Sequence, residues 1–335
     1  MTLAVVARMF GLPPQTLHYW YKNFLSDYFP DTAYFVHSTS IEHKKWHPQK
    51  IETVNETTGE VKEKPVYIFK KENLGENMSI DDKAIGHDCF TILSNHDTGA
   101  IALMVESTKA TEVEQAVELF GNDLNKVKNI TMDMSPTYSL VADNLMPRAT
   151  QVIDKFHVIK YVYDAVKDVR NKIRKGLSVS LTKGKKKTRE DKQTLSELEL
   201  VRRVRHAITQ SPDKWNEEMK KTVDQVFDKH DDLKTAYQIS QDFKHWYDYL
   251  NRIKPIHEIT KNLYQWYEQA SRLKEFESVI KMIRKHEDEI INFFKHGISN
   301  ARAERLNGKI QRFVSNNYGV KDKDFCLYRI AGYFS

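Results

Sequence analysis

Cysteine is scarce in this chain: Cys89 and Cys326 are the only two among 335 residues. Two thiols cannot build a disulfide framework or a cysteine-built zinc site, so the chain reads as a protein of a reducing compartment. Long apolar runs are missing as well. No stretch approaches the ~20 residues that cross a bilayer, and the first residues lack a secretory signal's basic-then-apolar order. A membrane is therefore not an expected partner, and the cytoplasm is the expected location. Glycine is sparse at 12 residues while aromatics reach 11%, which argues for a folded chain. Nor is charge strongly one-signed, since 52 basic residues face 46 acidic ones and leave +6. That excess accommodates a nucleic-acid partner without requiring one. The length allows a large core and two or three units.

The first readable unit is Thr2 to Lys22, TLAVVARMFGLPPQTLHYWYK. Leu3, Val6, Ala7 and Phe10 have helical apolar spacing, Gly11 suits a left-handed helix end, and Pro14 suits the opening of a second helix. The pattern predicts a helix-turn-helix with Gln15, Thr16, His18, Tyr19 and Lys22 toward a DNA groove. Leu17 and either Trp20 or Tyr21 would pack inward. Residues 27–76 read as a connector with a β-hairpin, its turn at Glu56–Glu60 and one flank ending in Val66-Tyr67-Ile68-Phe69. His37, His43 and His47 fall there without metal-ligand spacing.

A recognisable order follows. Strands are predicted at 78–83, 87–95 and 100–106, a helix at 111–120, a strand at 129–133, a helix at 137–145 and a strand at 149–154. Three antiparallel strands followed by helix, strand, helix and strand is the order of a ribonuclease H-like sheet. From Phe156 to about Lys295 the pattern is helical and polar, interrupted by a basic run beginning at Lys183. The tryptophans 215, 246 and 266, with tyrosines 237, 247, 249, 264 and 267, fall at helical spacing and are expected in the core of an all-α insertion.

The closing helix, NARAERLNGKIQRF from Asn300, sorts into three faces at about 100° per residue. Ala303, Leu306, Ile310 and Phe313 are apolar. Arg302, Arg305, Lys309 and Arg312 form a basic row suited to phosphates. Asn300, Glu304, Asn307 and Gln311 form a polar stripe with one carboxylate. In a ribonuclease H-like sheet the first and fourth strands are neighbours, which brings Asp81 and Asp133 together, and Glu304 would close the site. Three hard oxygen ligands suit Mg²⁺ or Mn²⁺, with two ions serving an in-line phosphoryl displacement. Asp82 competes with Asp81, but strand alternation allows one of them on the active face. Asp133 could also be a helix cap. Asp154 is a further ligand or supporting acid, and His157 is either a phosphate contact or an ordinary helix-start residue.

These residues also carry a resemblance. SIDDKAIGHDCFTILSNHDTGAIALMVE, ITMDMSPTYSLVADNLMPRATQVIDKFHVIK and ISNARAERLNGKIQRF resemble the DDE transposases of bacterial insertion sequences, the ISL3 family in particular. The resemblance implies Asp81, Asp133 and Glu304 as the catalytic acids, with Asp154, His157, Asn300 and Asn307 matching the motifs around them. It implies an enzyme that binds terminal inverted repeats, cuts at the element ends with Mg²⁺ or Mn²⁺ and joins the 3′-hydroxyl to target DNA. Double-stranded DNA and a second copy of the chain are the implied partners. The family's cysteine-rich zinc-binding segment is not found ahead of Met1, so the resemblance implies end recognition that is either incomplete or supplied by a separate N-terminal DNA-binding chain. Two alternatives remain at this stage: a ribonuclease H-like nuclease without strand transfer, and a DNA-binding regulator with a vestigial catalytic domain. The expected fold is α+β, divided into 1–26 helix-turn-helix, 27–76 connector, 77–158 first part of the catalytic core, 159–296 all-α insertion and 297–335 closing helix and C-terminus.

Overall fold

The computed structural model describes residues 3–26, 28, 49–54, 59, 61–181, 188–316 and 322–335. His37, His43, His47, nearly all of the turn expected at Glu56–Glu60 and most of the basic run from Lys183 lie outside them. The chain is a mixed α+β protein of two compact units, residues 1–151 with 299–335, and residues 152–298.

In the first unit, α1 (Leu3–Met9) and α2 (Pro14–Trp20) are joined by a turn in which Gly11 has φ of +63°. A side chain is strained at that φ, so glycine suits the position. Leu12 N donates to Ala7 O at 2.8 Å and closes the first helix. A π-helical turn, Tyr21–Leu25, extends the second.

The strands β1 (Gln49–Val54), β2 (Val61–Phe69), β3 (Asn77–Ile85), β4 (Asp88–Asn95), β5 (Ile101–Val105), β6 (Asn129–Met132) and β7 (Thr150–Ile153) make a seven-stranded sheet in the order β1-β2-β5-β4-β3-β6-β7. The hairpin expected in the connector is therefore the sheet's own edge, since β2 pairs with β1 and β5, antiparallel to both. β3, β4 and β5 are antiparallel neighbours and β6 runs parallel to β3.

Strand alternation then divides the side chains. Asp81 and Ile92 sit opposite each other on one face, Asp82 and Thr91 on the other. The helices α3 (Ala110–Glu118) and α4 (Pro136–Leu145) cover the Thr91 face, where the Tyr138 hydroxyl lies 3.3 Å from Thr91 Oγ1. The Ile92 face is covered by α12 (Ala301–Asn316) and α13 (Lys323–Phe334), whose Leu306, Ile310, Val314, Leu327 and Ile330 pack with Ile85, Phe90, Ile92 and Met104. Each such aliphatic side chain contributes about 1.5–3 kcal/mol on burial. The apolar face anticipated for the closing helix is thus what seats it.

The second unit is helical: α5 (Lys155–Ser180), α6 (Arg189–Arg203), α7 (Glu217–Phe227), α8 (Asp231–Trp246), α9 (Ile256–Ala270), α10 (Glu277–Lys285) and α11 (Glu287–His296). A boundary after residue 158 would cut α5, whose stripe Val158, Val162, Ala165, Val166 and Val169 is continuously buried. The aromatic core includes Trp246, Trp266, Tyr237, Tyr247 and Tyr267. The indole N–H groups of Trp246 and Trp266 donate to Ile259 O and Ile239 O, each at 2.9 Å, as buried indoles require. Tyr264 departs from expectation: it is 51% exposed, and its hydroxyl donates to Glu287 at 2.9 Å.

At the start of α6 the Thr188 hydroxyl accepts from Asp191 N at 3.1 Å, while Asp191 accepts from Thr188 N at 2.9 Å. This reciprocal cap satisfies two otherwise orphaned donors. Thr188→Ala is expected to lower stability by about 1 kcal/mol, read as a lower urea midpoint at unchanged slope.

Candidate active site

Three residue pairs set the register of β3 against β6: Asn77 with Asn129, Met78 with Ile130 and Ser79 with Thr131. Asp81 follows Ser79 by two residues on β3, and Asp133 follows Thr131 by two and stands just past the end of β6. Neighbouring strands lie about 4.8 Å apart, and a step of two keeps a side chain on its face. Ser79 therefore shares the face of Asp81, and Thr131 is paired with Ser79. Their hydroxyls meet at 2.6 Å, which shows that the two strands present these residues to the same side.

The closing helix lies over that side and is tied to it at two points. Asn300, immediately before α12 and fully buried, accepts at Oδ1 from Thr131 Oγ1 at 3.0 Å. Asn307, seven residues on and thus about two turns along, donates from Nδ2 to Asp81 Oδ2 at 2.8 Å. Glu304 lies between them on the same stripe and is exposed. The loop joining β4 to β5 steadies the start of the helix: His96 Nε2 lies 3.0 Å from Ser299 O, and the Arg302 guanidinium donates to Asp97 O.

Each acid has its own setting. Asp81 is 9% exposed, and its second oxygen accepts from Asp82 N at 2.9 Å. Asp133 accepts from Ser135 N at 2.8 Å, holding the turn that starts α4, whose N-cap is Ser135 itself. Asp82 points to the other face, where Cys89 Sγ donates to it at 3.4 Å. Burial, with the bond to Asp82, pushes the Cys89 thiol up from its ordinary range. Tyr138 is raised well above an ordinary phenol by burial, against the hydrogen bond with Thr91, with the charges of Asp82, Asp133 and Asp81 adding to it. It therefore remains a neutral clamp between α4 and the sheet.

Among the described residues no three His, Cys, Asp or Glu side chains stand close enough to hold a metal ion. Asp81 on β3, Asp133 just past β6 and Glu304 on the overlying helix do not form such a cluster. Mutual repulsion of carboxylates opposes closer approach. The donors are nonetheless of the right kind, hard carboxylate oxygens in a polar setting, for a small divalent cation.

Asp154 and His157 belong to the helical unit and pair with each other. Asp154 is 2% exposed, caps α5 by accepting from Phe156 N at 3.1 Å, and lies 2.9 Å from His157 Nδ1. That bond orients the imidazole. Of the other basic side chains on α12, Arg305, Lys309 and Arg312 are exposed.

On the N-terminal helices, Gln15, His18 and Tyr19 are exposed, whereas Thr16 and Lys22 are half-buried. Lys22 is ion-paired with Asp322, and the His18 ring packs edge-on to Phe325 at 6.0 Å. Tyr21 rather than Trp20 is the inward aromatic: it lies 6.0 Å from Phe325, while Trp20 is 42% exposed.

Ser79 and Thr131 were absent from the expected site. Their signal was present all the same, as a hydroxyl residue two positions before each aspartate, in SID and TMD. The packing of His18 and Tyr21 on Phe325 had no such signal.

No curated protein and no solved structure matches the chain. A family model described as a transposase, the ISL3 group of DDE transposases, matches residues 78–330. That span runs from the strand bearing Asp81 through the helix bearing Glu304 and covers well over half of the molecule. The chain belongs to the ISL3 family of DDE transposases.

Proposed function

We propose that this transposase binds the terminal inverted repeats of its element, cleaves the DNA at the element ends and joins the freed 3′-hydroxyl to target DNA. The reading treats β3 to β7 as a ribonuclease H-like catalytic sheet. What supports it most is the in-register pair Ser79 and Thr131 on neighbouring parallel strands, each two residues before an aspartate, beneath the helix that bears Glu304. These three carboxylates would hold Mg²⁺ or Mn²⁺, two ions in all. When bound, such ions supply an activated oxygen nucleophile and stabilise the leaving oxygen.

The chain's own residues do the rest. Asn307 orients the Asp81 carboxylate through its amide hydrogen bond. Arg305, Lys309 and Arg312 present an exposed cationic row to phosphates, with Arg302 at its head, and set the position of the strand without reading its sequence. The pair α1 and α2 acts as a helix-turn-helix, with the exposed Gln15, His18 and Tyr19 toward the groove, while Lys22 is held by Asp322. Two copies of the chain hold two ends together.

The test uses labelled duplex carrying the element's ends, with Mg²⁺, Mn²⁺, Ca²⁺ or EDTA. A pre-cut end and a target plasmid report joining. Cutting and joining are expected with Mg²⁺ and Mn²⁺ and neither with EDTA, while band shifts persist throughout. Cutting that survives chelation would sink the reading; cutting without joining would reduce it to a nuclease.

A further inference from the structure

The buried hydroxyls beneath the closing helix form a chain with a direction. Thr131 spends its single proton on Asn300 Oδ1 at 3.0 Å, so the 2.6 Å contact with Ser79 must be donated by Ser79. All three groups are sealed from solvent, with Ser79 at 1% exposure and Thr131 and Asn300 at 0%. Thr131 thereby fixes which way the Asn300 amide faces: the oxygen toward the sheet, the nitrogen away from it. That nitrogen, Asn300 Nδ2, is buried with no hydrogen-bond partner. An unsatisfied buried donor calls for an explanation, because burial without a partner is costly. Asn300 also carries the first backbone link of the helix, its carbonyl accepting from Glu304 N at 2.9 Å. Whatever fixes Asn300 therefore fixes the turn that presents Glu304.

We propose that Thr131, backed by Ser79, is a positioning residue for the catalytic acid: it locks Asn300 and, through it, the first turn of the helix, which presents Glu304. The unspent Asn300 N–H is then a donor kept for an oxygen of the loaded site. The inference rests on the proposed function and names two residues that its chemistry does not need. Thr131 acts through Asn300 and touches no substrate. Its loss should therefore weaken metal loading and turnover while leaving DNA affinity alone.

The experiment compares the full-length parent with Thr131→Val, Thr131→Ser and Ser79→Ala. One arm measures Mn²⁺ binding by calorimetry and by the rise in melting temperature. The other measures kcat and KM for end cleavage. Thr131→Val keeps the shape and the β-branching but removes the hydroxyl. It is expected to weaken Mn²⁺ binding at least tenfold and lower kcat at least tenfold, with KM within twofold of the parent. Thr131→Ser restores the hydroxyl and should return both to within threefold. A Thr131→Val protein that binds Mn²⁺ and cuts like the parent overturns the inference, as does a serine variant no better than valine. If Thr131→Val does not fold, Ser79→Ala decides: a threefold or greater loss of Mn²⁺ affinity supports the chain, and an unchanged affinity overturns it. A parent that neither binds Mn²⁺ nor cuts removes the underlying functional reading, an outcome distinct from parent-like variants of an active enzyme.

Discussion

Glu304→Gln is expected to slow end cleavage by about 10³-fold or more, equivalent to about 4 kcal/mol of transition-state stabilisation. DNA affinity should stay within about twofold, because the substitution leaves the proposed phosphate contacts of the neighbouring basic side chains in place. The substitution keeps size and hydrogen-bonding capacity and removes only the charge. Glu304 is exposed on the polar stripe between two anchoring asparagines, so no packing is lost with it. Asp81→Asn and Asp133→Asn should behave alike. Asp82→Asn is the control, since that carboxylate faces Cys89 on the opposite side of the sheet, and cleavage should change by less than about twofold. Quantified cleavage and band shifts on one substrate check all four variants. An Asp82 variant as dead as the Asp81 variant would show that the wrong face has been assigned. Glu304→Gln with full activity would remove the helix from the site.

Phe325→Ala should release the N-terminal helices from the rest of the molecule. Phe325 is 3% exposed on α13, and its ring meets His18, Tyr21 and Tyr28 at 6.0, 6.0 and 5.1 Å. Arg329 lies over the rings of Tyr21, Phe325 and Phe313, joining the N-terminal segment to both C-terminal helices. The Tyr328 hydroxyl donates to Ser26 O at 2.7 Å. Truncating a buried phenylalanine costs about 3–5 kcal/mol, and this cost falls on a segment whose helices have seven residues each. Helices that short do not persist without tertiary support. Limited proteolysis should therefore remove the first 26 residues rapidly while the sheet and closing helix survive. Affinity for end-bearing duplex should fall at least about tenfold, in contrast to Glu304→Gln. Unchanged protease resistance of the N-terminus would refute the anchoring role.

The same joint carries a pH dependence. Burial alone would raise Asp322, but hydrogen bonds from Lys22 and Phe325 N, with the charges of Lys22 and His18, hold it below the usual carboxylate range. A carboxylate depressed in the folded state stabilises above its unfolded value and loses that contribution as pH falls through its folded value. The joint should hold at neutral pH and weaken only in the acid range below an ordinary aspartate's titration.

Much of this molecule follows from short-range pattern. The alternation of SIDDK, the left-handed position taken by Gly11 and the three faces of the closing helix are local properties, set by periods of 2 and 3.6 residues. They place the strands, the helix pair and the seating of Leu306 and Ile310. The spacing S-x-D even puts the Ser79 hydroxyl on the face of Asp81. What no local period contains is which residues meet after more than 100 others have intervened. The bonds from Thr131 to Asn300 and from Asn307 to Asp81 span 169 and 226 residues, and that between Tyr328 and Ser26 spans 302. Likewise, the edge hairpin could join the sheet only once β5 offered an unpaired side, a property of the assembled sheet and not of the hairpin. The sequence by itself determined most of the elements and the faces they present. The tertiary structure alone decided how α12 is bolted over them and what holds the N-terminal helices, because those contacts depend on the closing of long loops and the packing of distant surfaces.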